Sequence, residues 1–228
     1  MLVASTQASS LLETAGETIF EPAHWRALGT LTPTAGGRGS SWFIRTGGQE
    51  WVLRHYRRGG FVGKFLRDSY VWAGEPRVRA FSELRLILRL EKLGLPVPVP
   101  IAAAYRRSAL VYRCDLITRR IEGAAPLSAR LAESRLSPNR WRDVGAVIAR
   151  FHHVGLDHAD LNAHNILLGP ERGVSVIDFD RGRLRAAGRW RQDNLARLQR
   201  SLAKIRRKLP AGRIDDGCWR SFMSGYES

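Results

Sequence analysis

The sequence predicts a two-lobed α+β fold: a small antiparallel β-sheet plus one helix, then a reduced, mainly helical lobe. Three observations predict it. Short β-like runs broken by glycine dominate the first 121 residues. One amphipathic helical pattern interrupts them at 76–94. After Gly123 helix-period segments take over, separated by a polar loop and two short apolar runs. At 228 residues, 44% hydrophobic and with seven Trp, the chain is long enough to bury a sizeable core. Residues 1–20 are Ser/Thr/Ala-rich and are expected to be poorly ordered, as chain ends often are. The expected division is then an N-lobe over 21–120 and a C-lobe over 121–228.

The elements follow in order. TAGGRGSSWFIRT (34–46) and EWVLRHY (50–56) read as strands joined at Gly47-Gly48, a hairpin signal. From Pro76 the period changes: Ala80, Leu84, Ile87 and Leu88 share one helical face, Gly94 supplies a stop and Pro96 blocks continuation. Glu83 falls between Ala80 and Ile87 on that apolar face, where a carboxylate requires a cationic partner. LPVPVP is an extended connector, and IAAAYRR and LVYRCDLITRRI give two further strands. In the second half PLSARLAES is a short helix and 138–155 a longer one opened by Pro138. A last basic helix, 190–209, carries the apolar stripe Leu195, Leu198, Leu202, Ile205 and Leu209.

Charge narrows the partners. There are 37 Lys and Arg against 21 Asp and Glu, a formal net charge of +16 and a pI near 11.2. Such a surplus favours an anionic partner, whether nucleic acid, a membrane face or a phosphorylated substrate. The two cysteines, Cys114 and Cys218, have no metal-type spacing. The first residues lack the basic region and apolar core of a secretory signal, and no run of about 18 apolar residues is present. A soluble cytoplasmic protein is expected.

The chemistry concentrates in His158-Ala159-Asp160-Leu161-Asn162-Ala163-His164-Asn165 and Asp178-Phe179-Asp180. Asp160 and Asn165 are five apart, and Asp178 lies thirteen beyond Asn165. Phosphoryl transfer needs a carboxylate to orient and deprotonate an attacking hydroxyl, and oxygen ligands to hold Mg²⁺ on nucleotide phosphates. Asp160 suits the first role, Asn165 and Asp178 the second. ILL (166–168) and VSVI (174–177) can form a hairpin returning Asp178 beside Asn165.

This constellation resembles the protein-kinase-like superfamily, whose catalytic loop reads H-x-D-x-x-x-x-N and whose metal aspartate opens D-F-G. The resemblance implies a protein-kinase-like fold, with ATP near 119–123. It implies that Gly37 and Gly39, in Gly36-Gly37-Arg38-Gly39-Ser40, cover the phosphates, and that Glu83 pairs with a cation on the third strand. That position carries Arg54 rather than Lys. Arginine can fork onto phosphate and carboxylate together; Lys64, ten residues on, is the alternative. Asp180 replaces the DFG glycine and Asn162 stands where Ser/Thr kinases carry Lys. Only 48 residues follow Asp180, without an A-P-E segment, which favours a glycan or small-molecule acceptor over a protein.

WVLRHYRRGGFVGKFLRDSYVW, GLPVPVPIAA, HADLNAHNILL and VIDFDRGRLR narrow the likeness to the Kdo (3-deoxy-D-manno-octulosonic acid) kinases, in the lipopolysaccharide-kinase branch. That resemblance implies ATP- and Mg²⁺-dependent phosphorylation of the 4-hydroxyl of a Kdo sugar on the lipid A precursor. It also implies peripheral attachment to the anionic cytoplasmic face of the inner membrane, and no nucleic-acid partner. The mixed basic and aromatic segment 57–72 is a candidate membrane contact, and the Arg-rich stretch 181–191 a candidate for the acceptor's phosphates. Two other readings are a kinase-like phosphotransferase for another glycan or small molecule, and a catalytically silent basic module binding membrane or nucleic acid. Small-molecule phosphotransferases with cationic acceptors usually offer an acidic pocket, so the strongly basic second half disfavours the first of these, and the intact Asp160, Asn165 and Asp178 disfavour the second.

Overall fold

The computed structural model describes residues 1–3, 6–33, 41–57 and 68–228. The chain divides into two compact units, Met1–Leu88 with Pro98–Arg120, and Arg89–Val97 with Ile121–Ser228. The architecture is α+β. Among the described residues no helix is long and apolar enough to cross a membrane.

The first unit runs β1 (Leu2–Val3), α1 (Thr6–Ala15), a 3₁₀ turn over Gly16–Phe20, α2 (Pro22–Ala27), β2 (Leu31–Pro33), β3 (Ser41–Thr46) and β4 (Gln49–His55). It continues with β5 (Tyr70–Val71), α3 (Arg79–Lys92), β6 (Pro100–Ser108) and β7 (Val111–Arg119). The strands form one antiparallel sheet in the order β1-β6-β7-β4-β3-β2, with β5 added on β7. Gly47 and Gly48 both have positive φ (54° and 72°), the twisted turn that a two-residue hairpin between β3 and β4 demands.

Alternation along the strands gives the sheet two different faces. Val52, Arg54 and Tyr56 face α3, where Ala80, Leu84 and Ile87 of the expected stripe are buried along with Phe81 and Leu90, while Leu88 is half-buried. Trp51 and Leu53 face the other way, into a core with Ile19, Phe20, Trp25, Ile44, Ile101 and Ile117. Part of the stretch expected to be poorly ordered packs on this face. Ile19 and Phe20 are buried, with Leu11, Leu12 and Ala15 packed beside them, because the sheet's second face needs an apolar cover. Trp25 locks that cover by donating Nε1–H to the Ile19 carbonyl at 2.7 Å.

The second unit contains β8 (Ala125–Pro126), α4 (Leu127–Glu133), α5 (Pro138–His153), β9 (Leu156–Asp157), β10 (Ile166–Leu168) and β11 (Val174–Val176). It ends with β12 (Arg183–Leu184), α6 (Trp190–Arg206) and α7 (Asp216–Tyr226). Ser137 caps α5 by accepting from Arg140 N–H, with Pro138 in the first turn. Helices α5 and α7 approach closely through Gly145 and Gly225. A Cβ on Gly145 would sit 2.0 Å from the Phe222 carbonyl oxygen, and one on Gly225 2.1 Å from that of Arg142. The connector after α3 belongs here, since Arg150 Nη2 donates to Gly94 O (2.6 Å) and Val176 N–H to Pro96 O (3.1 Å).

Candidate active site

In the first unit one carboxylate is buried among cations and phenols. Glu83 is 3% exposed, and its Oε2 accepts from both the Arg54 guanidinium and the Tyr56 hydroxyl. Arg54 and Tyr56 reach it together because they are two apart on one strand face, and Glu83 descends from the apolar side of α3. The Arg54 guanidinium also lies 4.4 Å over the Tyr56 ring. Burial pushes the Tyr56 phenol well above its usual range, so it remains a proton donor to Glu83. The Arg54 side chain keeps about a fifth of its surface exposed (22%) while Glu83 keeps almost none.

In the second unit the polar loop 158–165 is held by its own backbone. Its anchor, His158, is 2% exposed. His158 Nδ1 accepts from Asp160 N–H at 3.2 Å, and Nε2 pairs with the Ile177 carbonyl at 3.0 Å. These partners require the neutral imidazole protonated on Nε2, in accord with burial lowering its pKa. Leu161 N–H turns back onto His158 O, and the side-chain amides of Asn162 (3.0 Å) and Asn165 (2.9 Å) both donate to Asp160 O. Asn162 Oδ1 accepts from His164 N–H at 2.8 Å. The amide standing where Ser/Thr kinases carry Lys therefore stitches the loop. Asp160 itself is exposed.

The hairpin read from ILL and VSVI forms as β10–β11, with Ile166 opposite Val176. One step further, Asn165 O accepts from Ile177 N–H at 2.9 Å, which sets Asp178 next in line to Asn165. Asp178 adopts a left-handed backbone (φ 63°), as does Arg181 (φ 67°). Asp180 does not share that conformation, so a glycine at its position is not required. Phe179 is 1% exposed and packs on Phe151 and His158.

Asn165 has its Nδ2 committed to Asp160 O, which orients its Oδ1 as the remaining amide ligand atom. An amide oxygen and one carboxylate form a hard, oxygen-only set. That set fits Mg²⁺, which takes few protein ligands and completes its shell with phosphates and water. Among the described residues no group of three or more His, Cys, Asp or Glu offers a closed metal cage.

Three supporting residues were not singled out from sequence. Asn194, 2% exposed in α6, accepts from His158 N–H at 2.9 Å and donates to Asp157 at 3.0 Å. Ser201 accepts from Ala163 N–H at 3.2 Å, and Ser128 meets His164 Nδ1 at 2.8 Å. A signal for Asn194 existed: it sits four before Leu198 and eight before Leu202, a polar residue inside the apolar stripe. Gly37, Gly39 and Lys64 lie outside the described residues, as does most of 57–72.

The profile of the family described as "Lipopolysaccharide kinase (Kdo/WaaP) family" matches residues 23–226. The chain belongs to that family. Relatives named 3-deoxy-D-manno-octulosonic acid kinase include those of Xylella fastidiosa (strain M12), 48% identical over 189 residues, and Stenotrophomonas maltophilia (strain K279a), 49% over 190. A third, from Xanthomonas campestris pv. campestris (strain B100), is 49% identical over 191 residues. Each alignment covers 82% of this chain and 75% of the relative. As a member of the lipopolysaccharide kinase (Kdo/WaaP) family the protein is a phosphotransferase with an alcohol group as acceptor.

Proposed function

We propose that the protein transfers the γ-phosphoryl group of ATP to the 4-hydroxyl of a Kdo sugar on the lipid A precursor, at the cytoplasmic face of the inner membrane. The relatives' shared name supports the substrate class. The observation that carries the reading is the 158–165 loop, whose hydrogen bonds present Asp160 outward and align Asn165 with Asp178.

In this reading Asp160 accepts a hydrogen bond from the acceptor hydroxyl, orients it in line with the γ-phosphorus and takes its proton as the bond to phosphorus forms. Asp178 and Asn165 hold Mg²⁺, which when bound neutralises charge on the nucleotide phosphates. Arg54, fixed by Glu83 and Tyr56, turns its guanidinium edge to the phosphates as a bidentate donor. Gly37 and Gly39 take the phosphate-covering role on the sequence pattern alone. The +16 charge favours the anionic membrane surface and the acceptor's phosphates.

The test is ADP release from ATP and Mg²⁺, with and without a Kdo-bearing lipid A precursor, for wild type and Asp160→Ala. Turnover should depend on the acceptor and fall on the order of a hundred- to ten-thousandfold in the variant. Near-wild-type turnover in Asp160→Ala would remove the base from this scheme. Nucleotide binding without turnover on this precursor would keep the kinase chemistry and reopen the acceptor.

A further inference from the structure

Helix α6 has two different sides. Leu198 and Leu202 are buried and Leu195 and Ile205 half-buried, which accounts for its apolar stripe. Arg197, Arg200 and Lys204 recur at intervals of three and four, and Arg207, the C-cap, adds a further step of three. That spacing sets four cations in one row along the helix, and all four are exposed. Among the described residues none of the four has a carboxylate within ion-pair distance. Arg206 shows the contrast: it lies on a different side of the helix and meets Asp216 at 3.6 Å. The single acid of α6, Asp193, is four before Arg197 and forms no ion pair among the described residues.

Like charges three and four apart repel and weaken a helix. The helix dipole offsets this for Arg207 in the last turn, but not for Arg197 and Arg200 near the middle. A sheet of negative charge laid against the row would relieve the repulsion along its whole length.

The same helix carries the 158–165 loop, because Ser201 accepts from Ala163 N–H and Asn194 from His158 N–H. Ser201 is four after Arg197 and three before Lys204, so the loop meets α6 on the flank of the cationic row. An anionic surface against the row therefore sits beside the loop that presents Asp160. On the other flank, Ala196, Gln199 and Ala203 include no aromatic to stack on a base, whereas a lipid surface needs only accessible cations. We infer that Arg197, Arg200, Lys204 and Arg207 dock the second unit on an anionic lipid bilayer, holding the 158–165 loop at the membrane surface. The inference rests on the reading above in one respect, the lipid-borne acceptor, and it names the surface that meets the bilayer.

The test is flotation of the full-length protein, without nucleotide or acceptor, with phosphatidylcholine vesicles containing or lacking phosphatidylglycerol. Wild type should float only with the anionic vesicles, and high salt should release it. Arg200→Gln/Lys204→Gln/Arg207→Gln should weaken that binding on the order of a hundredfold. Arg77→Gln/Arg89→Gln/Arg220→Gln removes the same charge from exposed positions outside α6 and should weaken it only a few-fold. Equal loss in the two triple variants overturns the proposal in favour of overall charge, and failure of wild type to float overturns it outright. A fluorophore on Ala203→Cys gives a second arm if the α6 variant folds poorly; Cys114 and Cys218 are buried, so the exposed site labels selectively. A lipid spin-labelled at its headgroup should quench that fluorophore, and an unquenched signal from bound protein places the contact elsewhere. Duplex DNA that strips the protein from the vesicles at equal phosphate concentration overturns the lipid source in favour of nucleic acid. ADP release with the acceptor dispersed in neutral detergent should match wild type in the α6 variant, so failure of docking reads separately from failure of the kinase reading.

Discussion

The two units keep buried polarity in order by different means. In the first, Glu83 is a buried carboxylate, tolerable because a guanidinium and a phenol saturate one of its oxygens. In the second, the buried anchor is a neutral imidazole, and the loop around it is tied mainly by main-chain groups and side-chain amides. A centre built on charge is strong only while both charges are present, because the survivor of a broken pair keeps its desolvation cost. A centre built on neutral hydrogen bonds loses less per contact, but each contact also sets the direction of a reacting group. The first unit should therefore respond to damage chiefly in stability, the second chiefly in turnover.

The largest effect expected from this contrast is in the first unit. Arg54→Leu removes a guanidinium from the buried Glu83 carboxylate and should cost about 3–5 kcal/mol of folding stability in urea denaturation, in line with other broken buried pairs. The double replacement Arg54→Met/Glu83→Leu should recover most of that loss, because two apolar side chains leave no unpaired charge. It should not recover phosphoryl transfer. Restored turnover in the double variant would mean that the pair is only a packing device.

Asn194→Ala probes the second unit. It removes the acceptor of His158 N–H and the donor to Asp157, so it should cost roughly 1–3 kcal/mol, less than breaking the Arg54–Glu83 pair. Its signature should be kinetic: kcat falls about tenfold while KM for ATP stays near wild type, since the residue positions the loop without touching nucleotide. A rise in KM for ATP with kcat preserved would reverse the assignment of roles between the units.

That contrast also explains what was legible in the sequence. Side-chain chemistry announces itself: Glu83 on an apolar helical face asked for a cation, and Arg54 on the facing strand is that cation. The β10–β11 hairpin was legible from its two apolar runs. Backbone-tied features were harder to see. Nothing in HADLNAHN states that the amides of Asn162 and Asn165 converge on one carbonyl, or that Asn194, more than thirty residues away, completes the frame. The cover supplied by Ile19, Phe20 and Trp25 was missed for a related reason, since a Ser/Thr/Ala-rich segment has little signal until a sheet face needs burying.

The smallest expected effect, and the one that compares the units most directly, is the pH dependence of their histidines. His55 has its pKa raised, first by its hydrogen bond to Asp115 and then by the charges of Asp115 and Asp68, against the pull of burial. Its stabilising contribution is complete below the unfolded value near 6.5 and is lost as pH rises through the folded value. His152 is 3% exposed, and burial, followed by the nearby Arg191 charge, lowers its pKa to about 4. Between pH 6.5 and 4 the unfolded chain takes up a proton that folded His152 refuses, so stability falls as pH drops through that window. His158, lowered in the same direction by burial, adds to the acid loss. Denaturation at pH 7 and pH 5 should show His152→Gln resisting acid by about 1–2 kcal/mol relative to wild type, whatever its stability at pH 7. His55→Gln should show the opposite trend, with its cost relative to wild type larger at pH 5 than at pH 8. Parallel pH curves for the two variants would show that the units do not differ in how they hold these imidazoles.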